Sequence, residues 1–273
     1  MTVRIGGALG PEPEESVLPN DLQDPHGPEE RFRWQAAGVS HVGTRRKVNE
    51  DAHLQLMERC LFVVADGMGG HEAGDVASRL VVDRLRDLPP VEDLNITLRL
   101  ILERLQSANA DLRDYARQHS RSGVVGTTVA ALIGFEGRCS CLWAGDSRVY
   151  LLRNGAFRQI TRDHSQVEEL ISLGLVERAD AETHPAGNVI TRAVGASDEL
   201  AVDVVTRRVS DRDVYLICSD GLNKAVPDPE IADVLGGRDH QAAAEELIAR
   251  ALNYGATDNV TVVVARAEKL APS

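Results

Sequence analysis

The chain has 273 residues, with 30 basic and 42 acidic side chains for a formal charge of −12, and is 43% hydrophobic but only 4% aromatic. This length and apolar fraction suit one large or two small globular domains with an aliphatic core. The acidic balance argues against a nucleic acid or an anionic membrane as partner, because phosphate backbones are held by basic surfaces.

The first thirty residues hold five of the eleven prolines and seven acidic residues, without hydrophobic periodicity. Residues 1–31 are therefore expected to form a disordered acidic tail. The start lacks a signal-peptide core, and no apolar stretch reaches the length of a membrane span. A folded domain is expected over 32–267, with a short tail over 268–273.

Within that domain, Arg33 to Ser40, Ala52 to Met57 and Leu61 to Ala65 read as strands. Helices are expected over Glu72 to Leu88, stopped by Pro89-Pro90, and over Val91 to His119, where Leu94, Leu98, Ile101, Leu105 and Leu112 recur at helical spacing. Strands follow at Thr127 to Phe135, Cys139 to Ala144 and Arg148 to Arg153, separated by turn residues. Asn154-Gly155 is a strong hairpin signal. Such short connections imply antiparallel pairing. After a polar segment over 161–198 with a short helix at Gln166 to Leu173, strands are expected at Val202 to Val209 and Val214 to Cys218. Helices at Pro229 to Leu235 and His240 to Leu252 precede a last strand at Val260 to Ala265. Strands in two batches with helices between them indicate antiparallel sheets covered by helices.

Four cysteines are present. Cys60 and Cys218 lie at or inside apolar runs and are expected to be buried; Cys139 and Cys141, two apart on a strand, would share one face. None has zinc-site spacing, and a reduced cytoplasmic protein is the expectation.

Six carboxylates stand out: Glu50 and Asp51 after Asn49, Asp66 at the end of Leu61–Ala65, Asp146 after Ala144-Gly145, Asp220 after Val214–Ser219, and Asp258 before Asn259. Carboxylates gathered at strand ends are costly unless something positive collects them, and nothing basic adjoins most of them in the sequence. Oxygen donors alone select Mg2+ or Mn2+ over zinc or copper. Such ions acidify a bound water and suit attack on a phosphoryl group. Arg45-Arg46-Lys47, just before the acidic pair, supplies a candidate phosphate anchor.

Eight segments in order carry a family resemblance. They are Gly43 to Asp51, Val64 to His71, Gly126-Thr127-Thr128, Ala144 to Arg148, Thr161 to Ser165, His184-Pro185 with Asn188 to Gly195, Ser219 to Leu222, and Thr257 to Thr261. Together they resemble the bacterial-type metal-dependent protein phosphatases, the type 2C serine/threonine phosphatases (PPM). The resemblance implies an α+β fold, a four-layer α-β-β-α sandwich of two antiparallel sheets flanked by helices. It also implies hydrolysis of phosphoserine and phosphothreonine in proteins, with two Mn2+ or Mg2+ ions per active site and room for a third.

By the same resemblance, Arg46 would bind the substrate phosphate. Asp66 would bridge the two metals, joined by the Gly67 carbonyl. Asp220 and Asp258 would complete one shell, Glu50 would serve the other metal, and Asp51 would orient its waters. Asp146 with Asp220 would hold the third ion, Asn259 would neighbour the phosphate and the metal shell, and 163–193 would be a flap beside the site. Met68 departs from the family, many of whose members carry a proton-donating His there. Methionine cannot donate a proton. His71 is an alternative donor, but the general acid stays unassigned.

Other chemistries lack their parts. Cys141 is seven residues before Arg148, one too many for a cysteine phosphatase loop, and no Walker-type glycine loop is present. An inactive binding module would be expected to have lost Asp66 or Asp220, and both are kept. A small-phosphomonoester hydrolase would use the same metals, so only relative rates separate it. Expected partners are phosphorylated proteins and a cognate serine/threonine kinase; a monomer is expected.

Overall fold

The computed structural model describes residues 30–271 apart from 70–72, 91–92 and 120–123. The expected tail up to residue 29, the helix starts at Glu72 and Val91, and His71 lie outside the described residues. The described strands are β1 (Phe32–His41), β2 (Asp51–Leu56), β3 (Leu61–Met68), β4 (Gly126–Thr127), β5 (Val129–Phe135), β6 (Arg138–Ala144), β7 (Arg148–Arg153), β8 (Ala156–Gln159), β9 (Asp203–Arg208), β10 (Val214–Cys218) and β11 (Val260–Lys269). The helices are α1 (Ala73–Arg86), α2 (Leu94–His119), α3 (Gln166–Ser172), α4 (Asp220–Asn223), α5 (Asp228–Gly237) and α6 (His240–Asn253).

One sheet has the order β2-β3-β5-β6-β9, with β4 against β3, and the other β1-β11-β10-β7-β8. The ladders are antiparallel, which the short connections joining β2 to β3, β5 to β6 and β7 to β8 require of those pairs. Asn154 and Gly155 both take positive φ, 51° and 80°, in the hairpin joining β7 to β8.

The alternation of strand side chains builds the layers. Phe62 and Val64 point between the sheets, where they meet Ala130, Leu132, Tyr215, Ile217 and Val263. Trp34 stands over this layer, its ring 5.8 Å from Phe62 and 5.7 Å from Tyr215. Leu61, Val63 and Ala65 point the other way, into the core shared with α1 and α2. On the second sheet, Leu216, Cys218, Val262 and Val264 face α5 and α6. The result is the expected α-β-β-α sandwich.

Several elements differ from the sequence reading. Cys60 is in no strand. It is half-buried at φ 48°, closing a 3-10 turn over Met57–Arg59. The expected strand over 127–135 breaks at Thr128, whose N–H donates to the Asp66 carbonyl at 2.8 Å and whose Oγ1 accepts from the Asp66 N–H at 3.0 Å. β3 runs on to Met68 because β4 pairs with Gly67 and Met68. β11 continues to Lys269 because β1 accompanies it to Phe32. β8 and α4 are additions to the expected elements.

Candidate active site

Most of the expected site residues gather around one cavity. By alternation from Phe62 and Val64, Asp66 also points between the sheets. Asp51 is its register partner across the β2–β3 ladder. From the second sheet, β10 leads through Ser219 into Asp220, the first residue of α4. Asp258 and Asn259 immediately precede β11, and Asp146 sits in the turn between β6 and β7. A cavity of about 660 Å³ opens there, lined by Arg46, Glu50, Asp66, Gly67, Asp146, Asp220 and Asp258 among others.

Local packing fixes these positions. The Thr127 hydroxyl donates to the Asp66 carbonyl at 2.9 Å, so with Thr128 the Asp66 backbone is held on both sides. Gly67 must be glycine because a Cβ there would lie 2.0 Å from the Gly74 carbonyl oxygen of α1 and 2.6 Å from that of Glu50. Its N–H donates to the Glu50 carbonyl at 3.1 Å, joining the acidic loop to the end of β3. Gly43, at φ 80°, would bring a Cβ within 2.0 Å of the Asp258 carbonyl oxygen, so the basic loop lies directly against the Asp258 turn.

The electrostatics are those of crowded anions. Burial, reinforced by Asp51, Asp220, Asp146 and Asp258, pushes the Asp66 carboxyl well above the usual range. Burial likewise pushes Asp51 up to about 7, against hydrogen bonds from Thr261 and Ser219. Burial and then Asp220 push Asp146 up to about 7. Glu50 is raised by burial, opposed by the Gly74 N–H. Oδ1 of Asp51 and Oδ1 of Asp146 are buried without any hydrogen-bond partner.

Orphan buried carboxylate oxygens in an all-oxygen donor set fit hard divalent cations. Among the described residues, no three candidate ligands already converge on a single metal position. Two of the carboxylates are turned instead to side-chain cations. Arg46 Nη2 donates to Asp258 Oδ2 at 2.8 Å, and Lys224 Nζ donates to Asp220 Oδ2.

A family model described as protein phosphatase 2C matches residues 37–261. The chain belongs to this family. It is 38% identical over 212 residues to the serine/threonine phosphatase stp of Listeria welshimeri, covering 75% of this chain and 83% of that protein. Its fold is similar to that of PppA, a key regulatory component of T6SS in Pseudomonas aeruginosa, at 43% identity and a TM-score of 0.81, covering 87% of this chain and 99% of that one. The catalytic domain of the phosphatase PstP, solved in complex with two manganese ions, is similar at 34% identity and a TM-score of 0.76, over 87% of this chain and 99% of that one.

Two of the expected site residues, Asn259 and Asp51, do not line the cavity. Asn259 is buried and does not line the cavity. Its Oδ1 accepts from the Glu50 N–H at 2.8 Å, and its Nδ2 donates to the carbonyls of Val42 at 2.9 Å and Val48 at 3.1 Å. Its amide thus holds the 42–50 loop. Asp51 is likewise set behind the cavity wall, where the Ser219 hydroxyl donates to its Oδ2 at 2.8 Å. Sequence reasoning missed Lys224. Its signal was present in the four-residue interval from Asp220, which one helical turn converts into contact. Met68 lines the cavity, and among the described residues no histidine does.

Proposed function

We propose that this cavity hydrolyses phosphoserine and phosphothreonine in proteins, using two divalent ions held by its carboxylates and a third at Asp146 with Asp220. The observation that carries the reading is the cluster of buried, mutually raised carboxylates around Asp66, with donorless oxygens on Asp51 and Asp146. Mn2+ or Mg2+ suits that donor set. Once bound, the ions supply an acidified water and positive charge for an in-line attack on phosphorus.

The chain's own residues would divide the remaining work. Asp66, with the Gly67 carbonyl beside it, would hold the two ions together. Asp220 and Asp258 serve one ion, and Glu50 serves the other. Asp51 acts from behind as a buried acceptor that orients what stands between it and Asp66. Arg46, paired with Asp258 at the cavity wall, would be within reach of a substrate phosphate there. The planar guanidinium can then grip two phosphoryl oxygens. Asn259 fixes the loop carrying Arg46 and Glu50, so it positions both without touching substrate.

The catalytic unit is taken as residues 32–267, bracketing the family match at 37–261. We place the enzyme in the cytoplasm as a monomer that reverses a serine/threonine kinase. Among the described residues, no helix is long and apolar enough to cross a membrane.

The test is phosphate release from a phosphothreonine peptide by metal-stripped protein titrated with Mn2+, and separately with Zn2+. Release that depends on Mn2+ and disappears in Asp66→Asn is expected. Full activity in Asp66→Asn would sink the bridging assignment. Mn2+ binding without release at any concentration would sink the peptide phosphatase reading.

A further inference from the structure

Lys224 is the side chain that joins the metal-site carboxylates to the segment over 163–193. It lies just past α4, so one helical turn returns its ammonium to Asp220 Oδ2, while the same nitrogen donates to Asn188 Oδ1 at 2.7 Å. Lys224, Asn188 and Asp220 all line the cavity, and among the described residues Arg46 and Lys224 are its basic lining.

Asn188 belongs to a loop otherwise held mainly by its own backbone. The Gly187 N–H donates to the His184 carbonyl at 2.8 Å and the Val189 N–H to that of Ala186 at 3.2 Å. At its base, Gln166 N–H donates to the Val189 carbonyl at 2.8 Å and Thr191 N–H to that of His164 at 2.8 Å. The segment presents Leu173 and Leu175 at 71% and 68% exposure, so little apolar burial holds its outer part down.

We propose that Lys224 is a tethered cation that sits on Oδ2 of Asp220 and clasps Asn188, so that metal loading and the placement of the 184–190 loop are coupled. The inference rests on the metal-dependent reading above. An ammonium on Asp220 Oδ2 competes with a divalent ion for the negative charge and lone pairs of the same carboxylate. The two positive charges also repel at this range. An ion at Asp220 therefore weakens the ammonium's hold and favours its release to solvent. The four-carbon stem then swings away and the clasp on Asn188 is lost. Reciprocity follows, because whatever holds Lys224 on Asp220 weakens the ion's hold by the same factor.

The position of Lys224 favours this over a purely structural role. Its side chain is 46% exposed and that of Asp220 is 14% exposed, so the ammonium can leave to solvent at low cost while the carboxylate stays in the cavity. A buried structural pair would have neither freedom.

The experiment uses the full chain, metal-stripped and then saturated with Mn2+, with two readouts besides turnover. Calorimetry gives the Mn2+ affinity, and amide hydrogen exchange follows Gly187 and Val189. In the wild type, Mn2+ is expected to speed exchange at those amides. In Lys224→Ala, exchange should be fast with or without Mn2+. Its Mn2+ affinity should be tighter by roughly three- to tenfold, the scale of removing one partly solvated like charge. Asn188→Ala should keep the wild-type affinity to within about twofold, since solvated partners contribute little, yet lose the Mn2+-dependent change in exchange. Lys224→Arg, which keeps the charge, should retain weak Mn2+ binding.

Wild-type exchange that ignores Mn2+ although calorimetry shows it bound would overturn the coupling and leave the metal reading standing. So would unchanged Mn2+ affinity in Lys224→Ala. Absence of Mn2+ binding by the wild type would instead strike the metal reading itself, and the coupling with it.

Discussion

Asp51 and Asp66 stand opposite one another in register across β2 and β3, on the face that looks toward the second sheet. Two buried carboxylates in such a pair repel unless a proton or a cation lies between them, and both are raised above the ordinary range. Asp66→Asn removes one of the charges while keeping the shape. Turnover should fall by about a thousandfold or more, since a metal's transition-state stabilisation amounts to several kcal/mol at about 1.4 kcal/mol per tenfold. The same substitution should leave the metal-free protein at least as heat-stable as the wild type, because it relieves repulsion. A variant that loses both activity and stability in thermal melts would show that Asp66 is needed for folding instead.

Arg46 makes a different prediction. Its guanidinium pairs with Asp258 at 2.8 Å with both side chains about half exposed. Such a pair contributes about 0–1 kcal/mol, so the fold does not depend on it. Arg46→Ala should raise KM for a phosphothreonine peptide by roughly tenfold or more, the scale of a charge-assisted hydrogen bond, with a smaller change in kcat. Steady-state kinetics on one peptide over a range of concentrations checks this. A fall in kcat with KM unchanged would move Arg46 from substrate binding to the chemical step.

Much of this arrangement was legible locally. The apolar runs ending in Asp66 and Ser219 located β3 and β10, and Asn154-Gly155 located the β7–β8 hairpin. Asp66, Asp146 and Asp220 could be read because each follows such a run, while Glu50, Asp51 and Asp258 stand at or just before the starts of β2 and β11. What escaped was set by partners far away in sequence. The break at Thr128 exists because Thr128 holds the Asp66 backbone sixty-two residues earlier. Asn259 looked like a site residue, but its amide is consumed by a loop more than two hundred residues away. β8 is a short, exposed edge strand with one aromatic residue, and α4 is only four residues long, so neither carries a usable period. The Lys224 contact needed α4 to be recognised first.

Proton uptake gives a stability test with a definite sign. Asp51 and Asp146 each stand at about 7 in the folded, metal-free protein, against an ordinary value of 3.8. A raised folded value means that the folded state holds more protons than the unfolded one between those limits. The contribution is thus fully present below about 4 and is lost as pH rises through about 7. The EDTA-treated protein should therefore melt at a lower temperature at pH 7.5 than at pH 5.5. Saturating Mn2+ should reverse that order, since the ion binds the ionised carboxylates. Melting curves at the two pH values, with and without Mn2+, decide it. A metal-free protein that is more stable at pH 7.5 would contradict the raised carboxylates.

The last prediction concerns the far side of the inter-sheet core. Asp213 is completely buried and receives Arg153 Nε on Oδ1 and Nη2 on Oδ2, each at 2.7 Å. The Ser210 N–H at 2.8 Å and the Tyr215 hydroxyl at 3.2 Å complete its donors. Arg153 Nη2 also donates to the Arg208 carbonyl at 2.7 Å, so one guanidinium ties β7 to the end of β9 and the start of β10. Arg153→Met leaves a buried carboxylate without its counter-charge, a change that typically costs about 3–5 kcal/mol. Chemical denaturation should show a loss of that size. Adding Asp213→Asn should recover part of it, because the neutral amide no longer needs the guanidinium. Both variants, assayed where they remain folded, should keep the Mn2+ dependence of the wild type. If Arg153→Met unfolds no more easily than the wild type, then water reaches Asp213 and the pair does not hold the sheets together.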